Sequence, residues 1–402
     1  MTHPTRAMGQ SEFIALIAML FATVAFSIDS MLPALPSIAA ELTPDAPNTA
    51  QLILTSFVLG MGLGTFVAGP LSDSFGRRRI IVSGAVLYCF AAGVAYFAPT
   101  LETMLAARII QGLGAAGARV VSLALVRDLY KGRDMARIVS FAMMIFTLVP
   151  AIAPLAASGI ISAFGWRSIF VTFIAFSVIS MVWLMMRQPE TLPLASRRPF
   201  RAAPLIAALK EVLSHRVIRT TIAVQTLIFG ALFGTLSSAQ QIFEDVFNRA
   251  DSFPLWFAVV AICAGTASPT NAFLVGRVGM RSMITTTLIA QIALSAVTIA
   301  LALSGILTGG AGFALFVIWM IGVFAMAGLT LGNLNALALE PVGHIAGMAA
   351  SVTGAIATVC AVMLAAPLGL AFNGTYLPLV LGVLVMSILA LLLMLTLPKA
   401  QP

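Results

Sequence analysis

The sequence predicts an all-α membrane protein whose twelve transmembrane helices form two pseudo-symmetric six-helix bundles. Three observations predict it. Of the 402 residues 60% are hydrophobic and 9% charged, with a mean hydropathy of +1.05, too little polar surface to face water. Apolar runs of about 20 residues recur along the whole chain, each long enough to cross about 30 Å of hydrocarbon as a helix. The loops between them alternate in charge. A net charge of +8 would suit nucleic acid in a soluble protein. Here it collects in alternate loops, as topology requires, so no nucleic-acid partner is expected.

Span 1, 13–36, opens the chain as a true span with no cleavable signal, and it holds one acid, Asp29. Span 2, 50–71, carries Phe57 and runs into GPLSDSFGRRR, Gly69 to Arg79. The glycines there permit a tight turn into span 3, 78–98. Span 4, 102–125, holds Arg108, Gln111 and Arg119; the arginines are eleven residues apart, about three turns, and share a face. Span 5, 138–162, contains Pro150, Pro154 and Gly159, and span 6 covers 167–187. The longest polar interval, 188–218, is rich in Pro and Arg and reads as a linker. Within it Ala202–His215 is either an amphipathic helix on the membrane surface or a disordered basic tether. The expected domains are an N-terminal bundle of 1–190, a linker of 191–215 and a C-terminal bundle of 216–402. Span 7, 219–242, carries Gln225, Phe229, Phe233 and Gln240, and span 8, 254–275, carries Asn271. Span 9 is 282–305; span 10, 311–337, carries Trp319, Asn333 and Asn335; spans 11 and 12 are 345–370 and 376–397.

The loops 72–79, 126–137, 188–218 and 276–281 are basic, with Arg77, Arg78 and Arg79, Arg127, Arg197, Arg198, Arg201 and Arg277 among them. The alternate loops carry acids such as Glu41 and Asp251. Both termini are therefore expected in the cytoplasm. The halves echo one another: Gly76 and Arg78 fall opposite Gly279 and Arg281 of LVGRVGMRSM, the pattern of a duplicated transporter. Cys89, Cys263 and Cys360 each lie in a span without a CxxC, and His3, His215 and His344 have no partner at ligand spacing. Disulfides, a metal site and a cofactor are not expected.

Charges inside a span are costly and are functional candidates by default. Asp29 either takes up and releases a proton or pairs with Arg108 or Arg119; a static ion pair fixing spans 1 and 4 is the structural alternative. Gln111, Gln225, Asn271 and Asn333 are candidate cavity amides, and Phe57, Phe229, Phe233 and Trp319 candidate stacking rings; each also suits plain helix packing. Asp73 can meet an arginine or a helix N-terminus and latch two conformations at the cytoplasmic mouth.

The spacing G-x-L-x-D-x-x-G-R-R, present as Gly69, Leu71, Asp73, Gly76, Arg77 and Arg78, resembles the signature loop of the major facilitator superfamily. ARIIQGLGAAGA in span 4 resembles its R-x-x-Q-G motif, through Arg108, Gln111 and Gly112. LVPAIAPLAASG in span 5 resembles the proline-glycine motif of drug–proton antiporters, through Pro150, Pro154 and Gly159, although Ala151, Ala153 and Ala157 stand where glycines are common. DSMLPALPSIA, VRDLYKGRDMARI and EPVGHIAGMAAS resemble the bicyclomycin/chloramphenicol-resistance branch. The resemblance implies a monomer in a bacterial inner membrane that moves a small molecule, with protons as the candidate coupling ion, by rocking two halves about a midplane site. It also implies that Asp29 and Arg108 line the cavity. An enzyme is not expected, since one membrane acid and no membrane histidine make no catalytic pair.

Three cargoes compete. Copper import is disfavoured, because spans 7 and 8 lack the Met and His ligands that copper-importing relatives carry. Ser237–Ala258 resembles the riboflavin-importing subgroup, and this reading is preferred: uptake of riboflavin or a similar vitamin. The alternative is proton-coupled multidrug efflux.

Overall fold

In a computed structural model, residues 8–197, 199–200, 202–307 and 309–397 are described; Arg198, Arg201 and His3 lie outside them. Fifteen α-helices follow one another among these residues. They are α1 (Gln10–Asp29), α2 (Leu35–Leu42), α3 (Leu52–Phe75), α4 (Arg77–Tyr96), α5 (Leu101–Leu129), α6 (Gly132–Phe164), α7 (Ser168–Arg187) and α8 (Ala202–Ser214). Then come α9 (Arg216–Gln241), α10 (Phe253–Gly265), α11 (Ala267–Val278), α12 (Met280–Ser304), α13 (Gly309–Leu339), α14 (Ala346–Leu370) and α15 (Leu377–Leu395).

Among the described residues eleven segments are long and apolar enough to cross a membrane. One of them, Gly309–Leu370, has 62 residues and contains α13 and α14 parted at Val342, so the spans number twelve. Two spans expected to be continuous are broken. Span 1 stops at Asp29 and resumes at Leu35, because Pro33 has no N–H for the Asp29 carbonyl and its ring crowds that carbonyl. Span 8 is interrupted at Thr266, where Pro269 deprives the Gly265 carbonyl of its helical donor.

Contacts divide the chain into two units: residues up to Thr43 with Ser56–Ile206, and Pro44–Thr55 with the residues from Ala207 onward. In the first, Phe13, Leu16, Leu20, Val121, Leu125, Ile138 and Leu184 join α1, α5, α6 and α7 in one apolar core. Glycines let backbones approach. Gly60 and Gly64 of α3 lie against Ile109, Leu113 and Ala116 of α5, and Gly114 of α5 lies against Gly84 and Tyr88 of α4. Charge pairs staple α1–α2 to α7 at both ends. Glu12 accepts from Arg187 at 2.7 and 2.8 Å, and Glu41 accepts from Arg167 at 2.6 Å and from Trp166 Nε1 at 2.7 Å.

In the second unit, Phe243, Phe253, Phe313 and Phe316 pack edge to face around one centre. The Pro44–Thr55 segment is held there by amides. Asn48 donates to the carbonyls of Leu370 and Phe372, and Gln241 Nε2 donates to Asn48 Oδ1 at 2.8 Å. Gln51 accepts from Ser238 Oγ at 3.0 Å. The internal echo is visible in the backbone: Gly76 (φ +101°, ψ 151°) opens α4 and Gly279 (φ +85°, ψ 150°) opens α12 in the same turn. Only glycine adopts that turn without strain.

Candidate functional site

Polar groups of the first unit meet near the C-terminal end of α1. Arg108 of α5 is fully buried. Its Nη2 donates to the Ser27 carbonyl at 3.0 Å and its Nη1 to Gln111 Oε1 at 2.7 Å. The guanidinium lies 4.4 Å from the Phe57 ring centroid and 5.8 Å from that of Phe173. A cation taken out of water is thus held by a carbonyl, an amide and two π faces. Ser27 Oγ donates to the Thr23 carbonyl at 2.6 Å and shares a hydrogen bond with the Tyr88 hydroxyl. Gln111 lies beside Tyr88, yet its Nε2 makes no hydrogen bond of proper geometry. A buried amide left this way costs about 1–3 kcal/mol unless something supplies an acceptor.

Asp29 lies two residues beyond Ser27, 5% exposed, at the C-terminal end of α1. That end of a helix carries partial negative charge, so the carboxyl receives no help from the dipole. Among the described residues no ion pair links Asp29 to Arg108, Arg119 or any other cation. The static ion pair considered from sequence is not formed. Arg119 is half-buried farther along α5, with its Nη1 3.6 Å from Met61 Sδ. Phe57 and Met61 are one turn apart, so both arginines do face α3, about 16 Å from each other along α5.

The other candidates belong to the second unit. Gln225 is buried and its Nε2 has no hydrogen-bond partner among the described residues. Phe229 and Phe233 stack with centroids 5.6 Å apart. Asn271 and Asn333 bond to one another, Asn333 Nδ2 donating to Asn271 Oδ1 at 2.7 Å, so these amides join α11 to α13. Trp319 is enclosed, donating from Nε1 to Ser295 Oγ at 3.0 Å and stacking on Phe316. Its ring packs a core. Pro150 and Pro154 stand inside the 33-residue α6, with Gly159 in open space.

The loop after span 2 is a closed network. Arg77 pairs with Asp73, with Asp128 at 3.1 Å and with Ser72 Oγ at 2.6 Å. Glu190 was not anticipated, and it caps α4. Its carboxylate accepts the backbone N–H of Arg77 at 2.8 Å and of Arg78 at 3.1 Å, where a helix N-terminus favours an anion. Arg78 Nη2 donates to the Met185 carbonyl at 2.6 Å, and Gly69 begins the last turns of α3. Asp73, expected as a latch between halves, is engaged inside its own unit.

A family model described as Major Facilitator Superfamily matches residues 15–366. The bicyclomycin resistance protein homolog of Haemophilus influenzae is 27% identical over 68% of each chain. The multidrug resistance protein MdtL of Salmonella typhimurium is 28% identical over 90% of each. The solved structure of the xylose transporter XylE from E. coli superposes with a TM-score of 0.72 at 16% identity, over 96% of this chain and 99% of its own. At that identity the likeness concerns the fold alone. The relatives' names favour drug efflux over the vitamin uptake preferred from the sequence.

Proposed function

As the chain belongs to the Major Facilitator Superfamily and is a multi-pass secondary transporter, not an enzyme, we propose that it exports small drug-like molecules in exchange for protons. The observation that carries the coupling is Asp29, a buried carboxyl at a proline-broken helix end with no cation partner among the described residues. Such a group exchanges a proton or a cationic cargo when the site changes its exposure. Arg108 fixes the geometry beside it by holding the Ser27 carbonyl. The export direction rests on the resistance proteins to which the chain is similar. The charge of the basic loops supports a reading in which the chain lies in a bacterial inner membrane with both termini on the cytoplasmic side. A small-molecule substrate and protons are its partners, and it works as a monomer.

The test is drug accumulation in everted membrane vesicles that carry the chain and are energised with a proton gradient. Export predicts accumulation above an empty-vector control, its loss with a protonophore, and resistance of intact cells to at least one drug of a panel. Riboflavin entry into a riboflavin-auxotrophic bacterium, with no drug accumulation, would overturn export in favour of uptake.

A further inference from the structure

The second unit carries a groove that the transport mechanism does not use. One face of α9 forms its floor, from Arg219 through Thr226 to Leu227, at the i, i+3, i+4 spacing that puts side chains on one side of a helix. The walls are α14, through Cys360, and α15, through Leu389, both of which pack on α9 and meet each other little. Leu213 of α8 completes the lining. The cavity measures about 530 Å³, within the usual range of about 300–1,000 Å³ for small-ligand sites.

Its chemistry has two ends. Along the roughly 12 Å from Arg219 to Leu227 the lining is almost wholly apolar, so the occupant is mainly hydrocarbon. The Arg219 guanidinium lines one end of that run, with exposed Arg216, whose Nη2 donates to the Thr396 carbonyl at 3.1 Å, and exposed Lys210 within ten residues of it along the chain. Among the described residues no acid lines the groove, and Glu211 is engaged by His344 Nε2 at 2.8 Å. An apolar trough whose lining holds a guanidinium at one end and no acid is complementary to an apolar tail ending in an anion. We propose that this groove binds one anionic phospholipid, an acyl chain lying along α9 and the phosphate on Arg219. Basic pockets between spans hold anionic head groups on this principle.

The experiment uses the purified full chain, stripped of lipid and offered phosphatidylglycerol or phosphatidylcholine, with bound lipid counted by native mass spectrometry. The wild type should retain one phosphatidylglycerol in preference to phosphatidylcholine. Arg219→Gln should reduce that retention about fivefold, the contribution of one basic side chain beside an anionic lipid, and Arg219→Lys should keep most of it. Thr226→Trp, which fills the trough, should abolish retention of either lipid. Both side chains face the groove and not a core, so a symmetrical gel-filtration peak checks that the variants fold. Equal retention of the two lipids would overturn the proposal, as would a preference unmoved by Arg219→Gln, leaving Arg219 merely reaching for water. Full retention in Thr226→Trp, or displacement of phosphatidylglycerol by a transported drug, would assign the groove to another occupant.

Discussion

Gly114→Ala tests the contact on which the candidate site is built. Gly114 lies on α5 almost one turn past Gln111, where α5 meets the α4 backbone. A Cβ added there would stand 2.5 Å from the Gly84 carbonyl oxygen, 2.8 Å from the Tyr88 nitrogen and 3.1 Å from the Tyr88 Cα. Ordinary contact begins near 3.4 Å, and each obstacle is backbone, which cannot rotate away. The two helices must part by about 0.9 Å at that point. Overpacking of this kind costs about 1–3 kcal/mol. For a unit of this size that lowers the thermal midpoint by about 2–4 °C per kcal/mol. The shift also draws Tyr88 off Ser27, beside the carbonyl that Arg108 holds, so export should fall along with stability. The assay is thermal unfolding in detergent followed by drug accumulation in vesicles, with Gly93→Ala as control. Gly93 is on α4 with open space around it, and alanine there should be neutral or slightly stabilising. If Gly114→Ala matches the wild type in both measurements, the close packing of α4 on α5 and its role at the site are wrong.

Arg108→Lys should reduce export at least tenfold with the protein still in the membrane, because an ammonium cannot hold the Ser27 carbonyl and Gln111 in one fork; initial rates in vesicles check it. Asp73→Asn should slow turnover with little change in apparent affinity. A fall in affinity with turnover intact would end the reading of that loop as a conformational device. Glu190→Ala uncaps α4, removes an anion worth about 0.3–1 kcal/mol at the helix N-terminus, and should resemble Asp73→Asn in a kinetic comparison. The Asn271–Asn333 pair should show a coupling of about 0.6 kcal/mol in a double-mutant cycle of unfolding, the average for such bonds within membranes.

Much of the architecture is legible in the residues because hydrocarbon imposes it. Each crossing needs an apolar run long enough to satisfy its own backbone, and this is why the spans and the polar interval around α8 stand out. The breaks do not register in hydropathy, since one proline hardly changes the average over a span; they follow only from asking which carbonyl Pro33 and Pro269 each leave without a donor. Asp29 and Arg108 announce themselves by the cost of their charge. Ser27 and Tyr88 do not, because a neutral polar residue in a span looks like any other packing residue until its partner, 61 positions away, is known. Glu190 is hidden for the same reason, 113 residues from the amide it caps. A proline before it and a threonine after it were the only local hints of an ordered turn.

If Asp29 carries the coupling proton, drug binding releases that proton, and the release can be measured directly. Purified wild-type protein in weakly buffered detergent should acidify the medium when a transported drug is added. Asp29→Asn should bind the drug without releasing protons. Undiminished release from Asp29→Asn would contradict the account and move the coupling to another group.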